Sequence, residues 1–156
     1  KETEQMAQTE HTFLLKEGQW RATGTYYDHK GQATAISGHA SISHQEDGWI
    51  NRSAMKLEAE PPVAFENVYE IEPLDAGMET TIWETEHAML GLMMGTLVVV
   101  EDALIMSYAA EGGNYTGTET LRRIDADHYQ SWGVLWQGDQ KISSWSANLE
   151  RIEKGP

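Results

Sequence analysis

The feature that most constrains this fold is a succession of short segments in which side chains of two kinds alternate residue by residue. In segment 65–72 the odd-numbered residues read Phe, Asn, Tyr and Ile, and the even-numbered ones read Glu, Val, Glu and Glu. A period of two is typical of β-strands, and three carboxylates on one face predict that this face meets water. Turn signals separate the segments, as at Asp47 and Gly48, a pair that favours the positive φ of tight hairpins.

We predict ten strands, over residues 19–27, 33–44, 49–58, 65–72, 78–85, 96–100, 104–110, 115–123, 129–136 and 141–151. Tight turns join them in order, which indicates an up-and-down meander, and closing it removes both exposed edges. The predicted fold is an all-β, closed antiparallel barrel of about ten strands that forms one domain over residues 1–156. Residues 3–16 are predicted to form a short helix or turn that plugs or leads into the barrel, and the Met-rich segment 89–95 has no assignment.

The charge of the chain bears on its partners. It has 25 Asp and Glu residues against 11 Lys and Arg, a formal net charge of −14, and no Cys. So acidic a surface repels phosphate backbones and anionic lipids, and we expect neither nucleic acid nor a membrane as partner. The Cys-free composition excludes disulfides and suits a reducing, cytoplasmic compartment, whereas a processed terminus leaves a periplasmic or secreted location open.

Both ends of the barrel pattern carry motifs of a known superfamily. Residues 18–24, Gly-Gln-Trp-Arg-Ala-Thr-Gly, resemble the Gly-x-Trp opening of calycins and the start of bacterial lipocalin-like families of unknown function. Residues 145–151, Trp-Ser-Ala-Asn-Leu-Glu-Arg, resemble the last strand of such barrels. The resemblance implies that Trp20 stacks beneath Arg151 as a structural closure of one barrel end, a cation–π contact worth about 0.5–2 kcal/mol.

Two departures from better-known calycins limit what the resemblance implies about cofactors. Fatty-acid-binding calycins grip a carboxylate with an Arg-x-Tyr pair on the last strand, which reads Asn-Leu-Glu-Arg over 148–151 here. Haem barrels of the nitrobindin type carry a proximal His near the C-terminus, and no His follows His128. No cofactor is therefore predicted, and the less favoured haem hypothesis would use His87, Met93 and Met94. No metal site is predicted either, because the close pair His39 and His44 falls on opposite faces of a strand.

The predicted inward face mixes aromatic, apolar and polar residues, as small-molecule sites do. The predicted ligand-binding residues are Tyr26, Met55, Asn67, Tyr69, Met106, Tyr108, Tyr115, Glu119 and Trp132. The leading hypothesis is that a small apolar or amphipathic molecule binds inside the barrel. A core filled by the protein's own side chains is the competing interpretation.

Two other functions stay open at the level of sequence. The first is a barrel enzyme, an isomerase or lyase with Glu119 and Tyr115 as its acid–base pair; against it, Arg123 on the same strand face could pair with Glu119 structurally. No catalytic residue is assigned. The second is a structural protein that forms a homodimer through a sheet face containing Val98 and Val100.

Overall fold

A computed structural model describes residues 10–152, which form a closed antiparallel barrel. Its ten strands are β1 (Gly18–Tyr27), β2 (Ala33–Gln45), β3 (Gly48–Leu57), β4 (Val63–Ile71), β5 (Thr80–His87), β6 (Gly91–Val100), β7 (Ala103–Ala110), β8 (Tyr115–Asp125), β9 (His128–Gln137) and β10 (Gln140–Ile152). Each strand pairs with its neighbours in sequence, and β1 pairs with β10 to close the barrel. The predicted meander and its closure are therefore confirmed.

Nine strands begin and end within two residues of the predicted bounds, and β6 is the exception. It starts at Gly91, five residues before the predicted start, and so takes in most of the Met-rich segment. Met93 faces inward and is buried, whereas the next residue, Met94, is 52 % exposed. Because both faces of this stretch carry methionine, the apolar–polar alternation that reveals a strand is missing there.

The short N-terminal helix is the part of the fold prediction that the structure does not support. Residues 13–15 form a turn, no residue from 11 to 17 is helical, and residues 3–9 of the predicted segment lie outside the described part of the chain. Leu14 has a φ of 68°, in the left-handed region that an α-helix of L-residues excludes. The chain turns there so that both Phe13 and Leu14 are buried against the barrel interior.

We call the barrel end that residues 11–15 cover the closed end. Phe13 meets the Trp20 ring edge-on at 5.4 Å, and Trp20 meets Tyr129 in the same manner at 5.6 Å. The His44 Nε2 atom donates a hydrogen bond to the Leu14 carbonyl oxygen at 2.7 Å. The predicted plug of the barrel is thus present in residues 11–15, as turns. Among residues 10–152, no helix is long and apolar enough to cross a membrane.

The pairing register fixes which side chains face the interior, because directly opposite residues of antiparallel strands point to the same side. Trp20 and Ala22 on β1 lie opposite Ala40 and Gly38 on β2, and the same correspondence can be followed around the barrel. It confirms that the Phe65, Asn67, Tyr69 and Ile71 face of β4 is the inner one, since Ile71 and Asn67 are buried while Glu66 and Glu70 are exposed.

Candidate functional site

The candidate site is the middle of the barrel interior, which we call the central lumen. Its members face inward at mid-strand on β3, β4, β7, β8 and β10: Asn51, Ser53, Met55, Tyr69, Met106, Tyr108, Glu119 and Trp145. Every one of them keeps part of its surface accessible, although the strands surround them. At the closed end, by contrast, Trp20, Leu104, Leu121 and Tyr129 are 0–2 % exposed. The interior is therefore filled at one end and bordered by accessible surface in the middle.

Three inward-facing glycines let aromatic rings lie against the barrel wall. Trp83, Tyr108 and Trp145 are each directly opposite a glycine, at Gly95, Gly117 and Gly133 respectively. A Cβ atom added at Gly95 would come within 2.6 Å of the Trp83 ring, and one added at either other glycine would overlap its aromatic partner. Each ring thus occupies the space that a neighbouring side chain would fill, and it lies on the wall instead of across the barrel axis.

Glu119 on β8 is the acidic group of the central lumen. Its Oε2 atom accepts a hydrogen bond from the Ser131 hydroxyl at 2.8 Å, and the Trp145 side chain also hydrogen-bonds its carboxyl. Burial raises the pKa of Glu119, and these two donors offset only part of that rise. Within residues 10–152, no Lys, Arg or His lies within salt-bridge distance of Glu119.

Two tyrosines lie near this carboxyl. Burial raises the pKa of both Tyr69 and Tyr108 above the usual range, and the charge of Glu119 raises each of them further. Trp83 links the tyrosines: its ring lies 5.5 Å from that of Tyr69, nearly perpendicular at 71°, and 5.7 Å from that of Tyr108. The centre of the barrel therefore combines aromatic rings, two neutral hydroxyls and one carboxyl.

The register places most of the predicted ligand-binding residues on the inner face. Inward-facing members of that set are Tyr26, Met55, Asn67, Tyr69, Met106, Tyr108, Tyr115 and Glu119. Tyr26 and Tyr115 lie at the end opposite the plug, which we call the far end, and the Tyr115 hydroxyl accepts a hydrogen bond from Gln137 at 3.4 Å. Whether these residues contact a ligand stays a prediction.

The assignment of Trp132 to the lumen is wrong. It is 41 % exposed on the outer face of β9, and its neighbours Ser131 and Gly133 face inward instead. These two positions need small residues, because Ser131 hydrogen-bonds Glu119 and Gly133 lies beneath the Trp145 ring. A large apolar residue beside small ones suggested the opposite phase for this strand.

The two partners predicted for Glu119 are also corrected. Tyr115 and Arg123 each lie four residues from it on β8, which separates their Cα atoms from that of Glu119 by about 13 Å in an extended strand. Arg123 lies at the closed end, where its charge acts on His11 and Tyr129, and its buried Nε atom has no hydrogen-bond partner within the described part of the chain. Glu119 is instead grouped with Tyr69, Tyr108, Ser131 and Trp145, two of which sequence reasoning did not select.

Trp20 and Arg151 are directly opposite each other in the β1–β10 pair. A Cβ atom added at Gly18 would lie 3.5 Å from the Arg151 Nε atom and 3.7 Å from the Trp20 Nε1 atom, so the two side chains meet at this position. Their adjacency agrees with the predicted closure of the barrel, and the stacking of the guanidinium on the indole stays a prediction.

The histidines contact neighbouring rings and backbone groups or lie on the outer face of the barrel. His44 stacks on Trp49 at 4.1 Å, whereas the register places His39 on the outer face, opposite Ala54. The His87 Nδ1 atom accepts hydrogen bonds from the backbone N–H groups of Met89 and Leu90 and so caps the β5–β6 turn. No group of three His, Asp or Glu side chains suited to a metal ion occurs in the described part of the chain.

The outer surface offers less enclosure than the lumen. Val98 is half-buried and Val100 is 46 % exposed, and the homodimer predicted through this face stays a prediction. An open depression lies at the β4–β5 connection, lined by Glu72, Pro73, Asp75, Met78, Thr80, Thr81 and Ile82. Because it is open and partly acidic, it gives an apolar molecule far less contact than the barrel interior.

Comparison with solved structures identifies proteins that have a similar fold. No family model and no curated protein matches the sequence. The structure is similar to that of the S-type phycobiliprotein lyase CpeS from Guillardia theta, with 9 % identity, a TM-score of 0.65 and coverage of 98 % of both chains. It is also similar to Rv2717c from M. tuberculosis, with 13 % identity, a TM-score of 0.60 and coverage of 88 % of this chain and 92 % of the other. Both are ten-stranded barrels of calycin/lipocalin-like type, and this chain has the same fold.

Proposed function

We propose that this protein binds a small apolar or amphipathic molecule in the central lumen. The observation that carries the proposal is the partial exposure of inward-facing side chains at mid-barrel, whereas core side chains of the closed end, such as Trp20 and Leu104, have almost no accessible surface. Side chains that face inward and still have accessible surface border an internal space. A ten-stranded barrel is also wider than an eight-stranded one, and the interior of an eight-stranded barrel is just wide enough for side chains to fill it.

The aromatic rings that lie against the barrel wall support the same proposal. Alanine or valine opposite Trp83, Tyr108 and Trp145 would leave no room for these rings on the wall and would push them toward the barrel axis. The glycines at 95, 117 and 133 instead give these rings a seat on the wall. An apolar wall with a few polar groups, here Glu119 and the two tyrosine hydroxyls, suits a ligand that has an apolar body and one polar group.

The similar structures support a barrel that can hold a ligand, and they do not support a particular reaction. CpeS is named as a phycobiliprotein lyase, and at 9 % identity its activity gives no reason to assign a lyase reaction to this chain. The separation of Glu119 from Tyr115 removes the acid–base pair on which the enzyme hypothesis rested. A binding protein is therefore the function that the geometry supports best.

Native mass spectrometry of freshly purified protein tests the proposal directly, because a retained ligand adds a discrete mass. Ser53→Trp on the inner face of β3 is designed to fill the lumen, and Arg52→Trp places the same side chain on the outer face. We expect Ser53→Trp to lose the adduct and Arg52→Trp to retain it, with thermal unfolding confirming that both variants fold. An adduct kept equally by both folded variants would place the ligand elsewhere and contradict the proposal.

A further inference from the structure

We propose that the ligand is a protonated organic amine, whose ammonium group is held between the rings of Tyr69 and Tyr108 and the carboxylate of Glu119. This inference rests on the proposed binding function and specifies its chemical class. It follows from three features of the central lumen: the arrangement of the rings, the sign of the charge, and a hydrogen-bond acceptor that lacks a donor.

The rings form an angled wall. Trp83 is buried and lies in contact with both tyrosine rings, at 71° to Tyr69 and 55° to Tyr108, so it holds the tyrosines in fixed orientations. Each tyrosine keeps accessible surface toward the lumen. The face of an aromatic ring attracts a cation, and a cation surrounded by several rings and shielded from water gains most from that attraction.

The charge of the interior favours a cation as well. Glu119 is the one carboxyl on the inner face at mid-barrel among the described residues. The inward-facing bases lie away from it: Arg123, Arg151 and His44 toward the closed end, and His87 at the far end. A ligand carboxylate would therefore meet a like charge and no base, whereas an ammonium group would meet an opposite charge in a medium that screens it poorly.

Hydrogen-bond acceptors that are not fully used in the lumen are the third feature that favours an amine. Glu119 accepts from Ser131 and Trp145, and a carboxylate has about four acceptor sites, so about two are left for a ligand. The Oδ1 atom of Asn51 is buried and has no hydrogen-bond partner among residues 10–152, and Asn51 is directly opposite Tyr69 in the β3–β4 pair. A buried acceptor without a donor costs free energy, and a rotation of the Asn51 side chain toward the lumen would let a ligand N–H group recover it.

Binding should depend on pH in a defined direction. The titratable groups that face Glu119 are the hydroxyls of Tyr69 and Tyr108, and both stay neutral because burial raises their pKa. Ser131 and Trp145 do not titrate. Since burial also raises the pKa of Glu119, the empty site keeps its proton to a higher pH than an exposed carboxyl does, and an ammonium ligand must displace that proton. The affinity for a cation should therefore rise with pH, by at most about tenfold per unit, until Glu119 is ionised in the empty protein.

Isothermal titration calorimetry with three probes on one scaffold tests the inference: 1-naphthylmethylammonium, 1-naphthalenemethanol and 1-naphthoate. We expect the ammonium probe to bind at least about tenfold more tightly than the alcohol, and the naphthoate to bind most weakly. Glu119→Gln should remove the preference for the cation. Glu150→Gln is the matched control, since it removes the same charge from an exposed position on the outer face and should leave the preference unchanged.

The outcomes separate this inference from the proposed function. If the alcohol binds as tightly as the ammonium probe, or if Glu119→Gln keeps the preference, the amine is excluded and lumen binding stands. If none of the three probes binds and native mass spectrometry finds no adduct, both proposals fail. Should Glu119→Gln not fold, the pH profile of the wild type decides: a gain in affinity with pH that the ammonium probe shows and the alcohol lacks supports the amine, and parallel profiles exclude it.

Discussion

The closed end and the central lumen are formed by the same ten strands and differ in how their interiors are packed. At the closed end, residues 11–15 add an inner layer, and the side chains of Leu14, Trp20 and Tyr129 have almost no accessible surface. In the central lumen no described segment supplies such a layer, and the inward side chains keep part of their surface. The comparison teaches that one end of this ten-stranded wall is filled by an added inner layer, whereas the middle is bordered only by the side chains of the strands themselves.

The two regions differ in the kind of polar group that lacks a partner within the described residues. The His11 Nε2–H donates to the Glu101 carbonyl oxygen at 2.9 Å, which leaves Nδ1 to accept from the Tyr129 hydroxyl at 2.7 Å. That hydroxyl in turn accepts from the Thr12 N–H at 3.1 Å. His11 and Thr12 of the plug are thus held by partners within the protein. Among residues 10–152, the buried atoms without a partner at the closed end are two donors, Trp20 Nε1 and Arg123 Nε, whereas Glu119 and Asn51 in the lumen keep unused acceptor capacity.

The largest effect is expected from Trp20→Ala at the closed end. Trp20 is 1 % exposed and contacts Phe13 and Tyr129, so its truncation leaves a cavity and should lower the free energy of unfolding by about 3–5 kcal/mol. Trp132→Ala, on the outer face, is the control and should cost less than about 1 kcal/mol. Urea denaturation measures both. Equal losses would show that the closed end does not carry the stability assigned to it.

Removing one oxygen atom should distinguish the regions with less disruption. Tyr129→Phe leaves His11 Nδ1 and the Thr12 N–H without partners in a buried setting, and should lower the free energy of unfolding by about 1–3 kcal/mol. Tyr108→Phe removes a hydroxyl that borders the lumen and should change it by no more than about 0.5 kcal/mol. A loss at Tyr108 as large as that at Tyr129 would contradict the division between plug and binding space.

The lumen carboxyl should show the third effect, in the pH dependence of stability. Because burial raises the pKa of Glu119 in the folded state, its contribution is greatest below its ordinary value of 4.5 and is lost as the pH rises through the raised value. Glu119→Gln should therefore gain stability over the wild type as the pH rises through this window, by at most about 1.4 kcal/mol per unit. Urea midpoints of both proteins across that range test the sign, and a gain that grows on acidification would refute it.

The fold followed from local patterns, and the candidate site followed only in part. The alternation in β4 and the turn at Asp47 and Gly48 are properties of neighbouring residues, so the sequence was enough to predict them. The inner face of β9 depends on residues of other strands: Ser131 faces inward to meet Glu119, and Gly133 to seat Trp145. Trp132 was therefore assigned to the wrong face, since the apolar character of one residue gives no information about its cross-strand partners.

The separation of Glu119 from Tyr115 and Arg123 is a different case, because strand geometry alone determines it. Residues four apart on a strand share a face and still lie about 13 Å apart, too far for a hydrogen bond or an ion pair. A shared strand face therefore does not imply contact. The helix predicted over residues 3–16 failed within 11–17 for a third reason, since burying consecutive Phe13 and Leu14 in the barrel requires a turn with positive φ.

The smallest effect is expected at His11, with a sign opposite to that at Glu119. Burial lowers the pKa of His11 below its ordinary value of 6.5, so the unfolded chain takes up a proton before the folded protein does, and stability is lost as the pH falls below that value. The loss is limited, because the hydrogen bond to the Glu101 carbonyl is kept by the protonated ring and offsets part of the burial cost. His11→Gln, which keeps a donor and does not titrate, should lose less stability than the wild type between about pH 7 and pH 5. If acidification instead favours the wild type over His11→Gln, the plug is not held by a neutral histidine. The closed end and the central lumen would then not differ in the sign of their pH dependence.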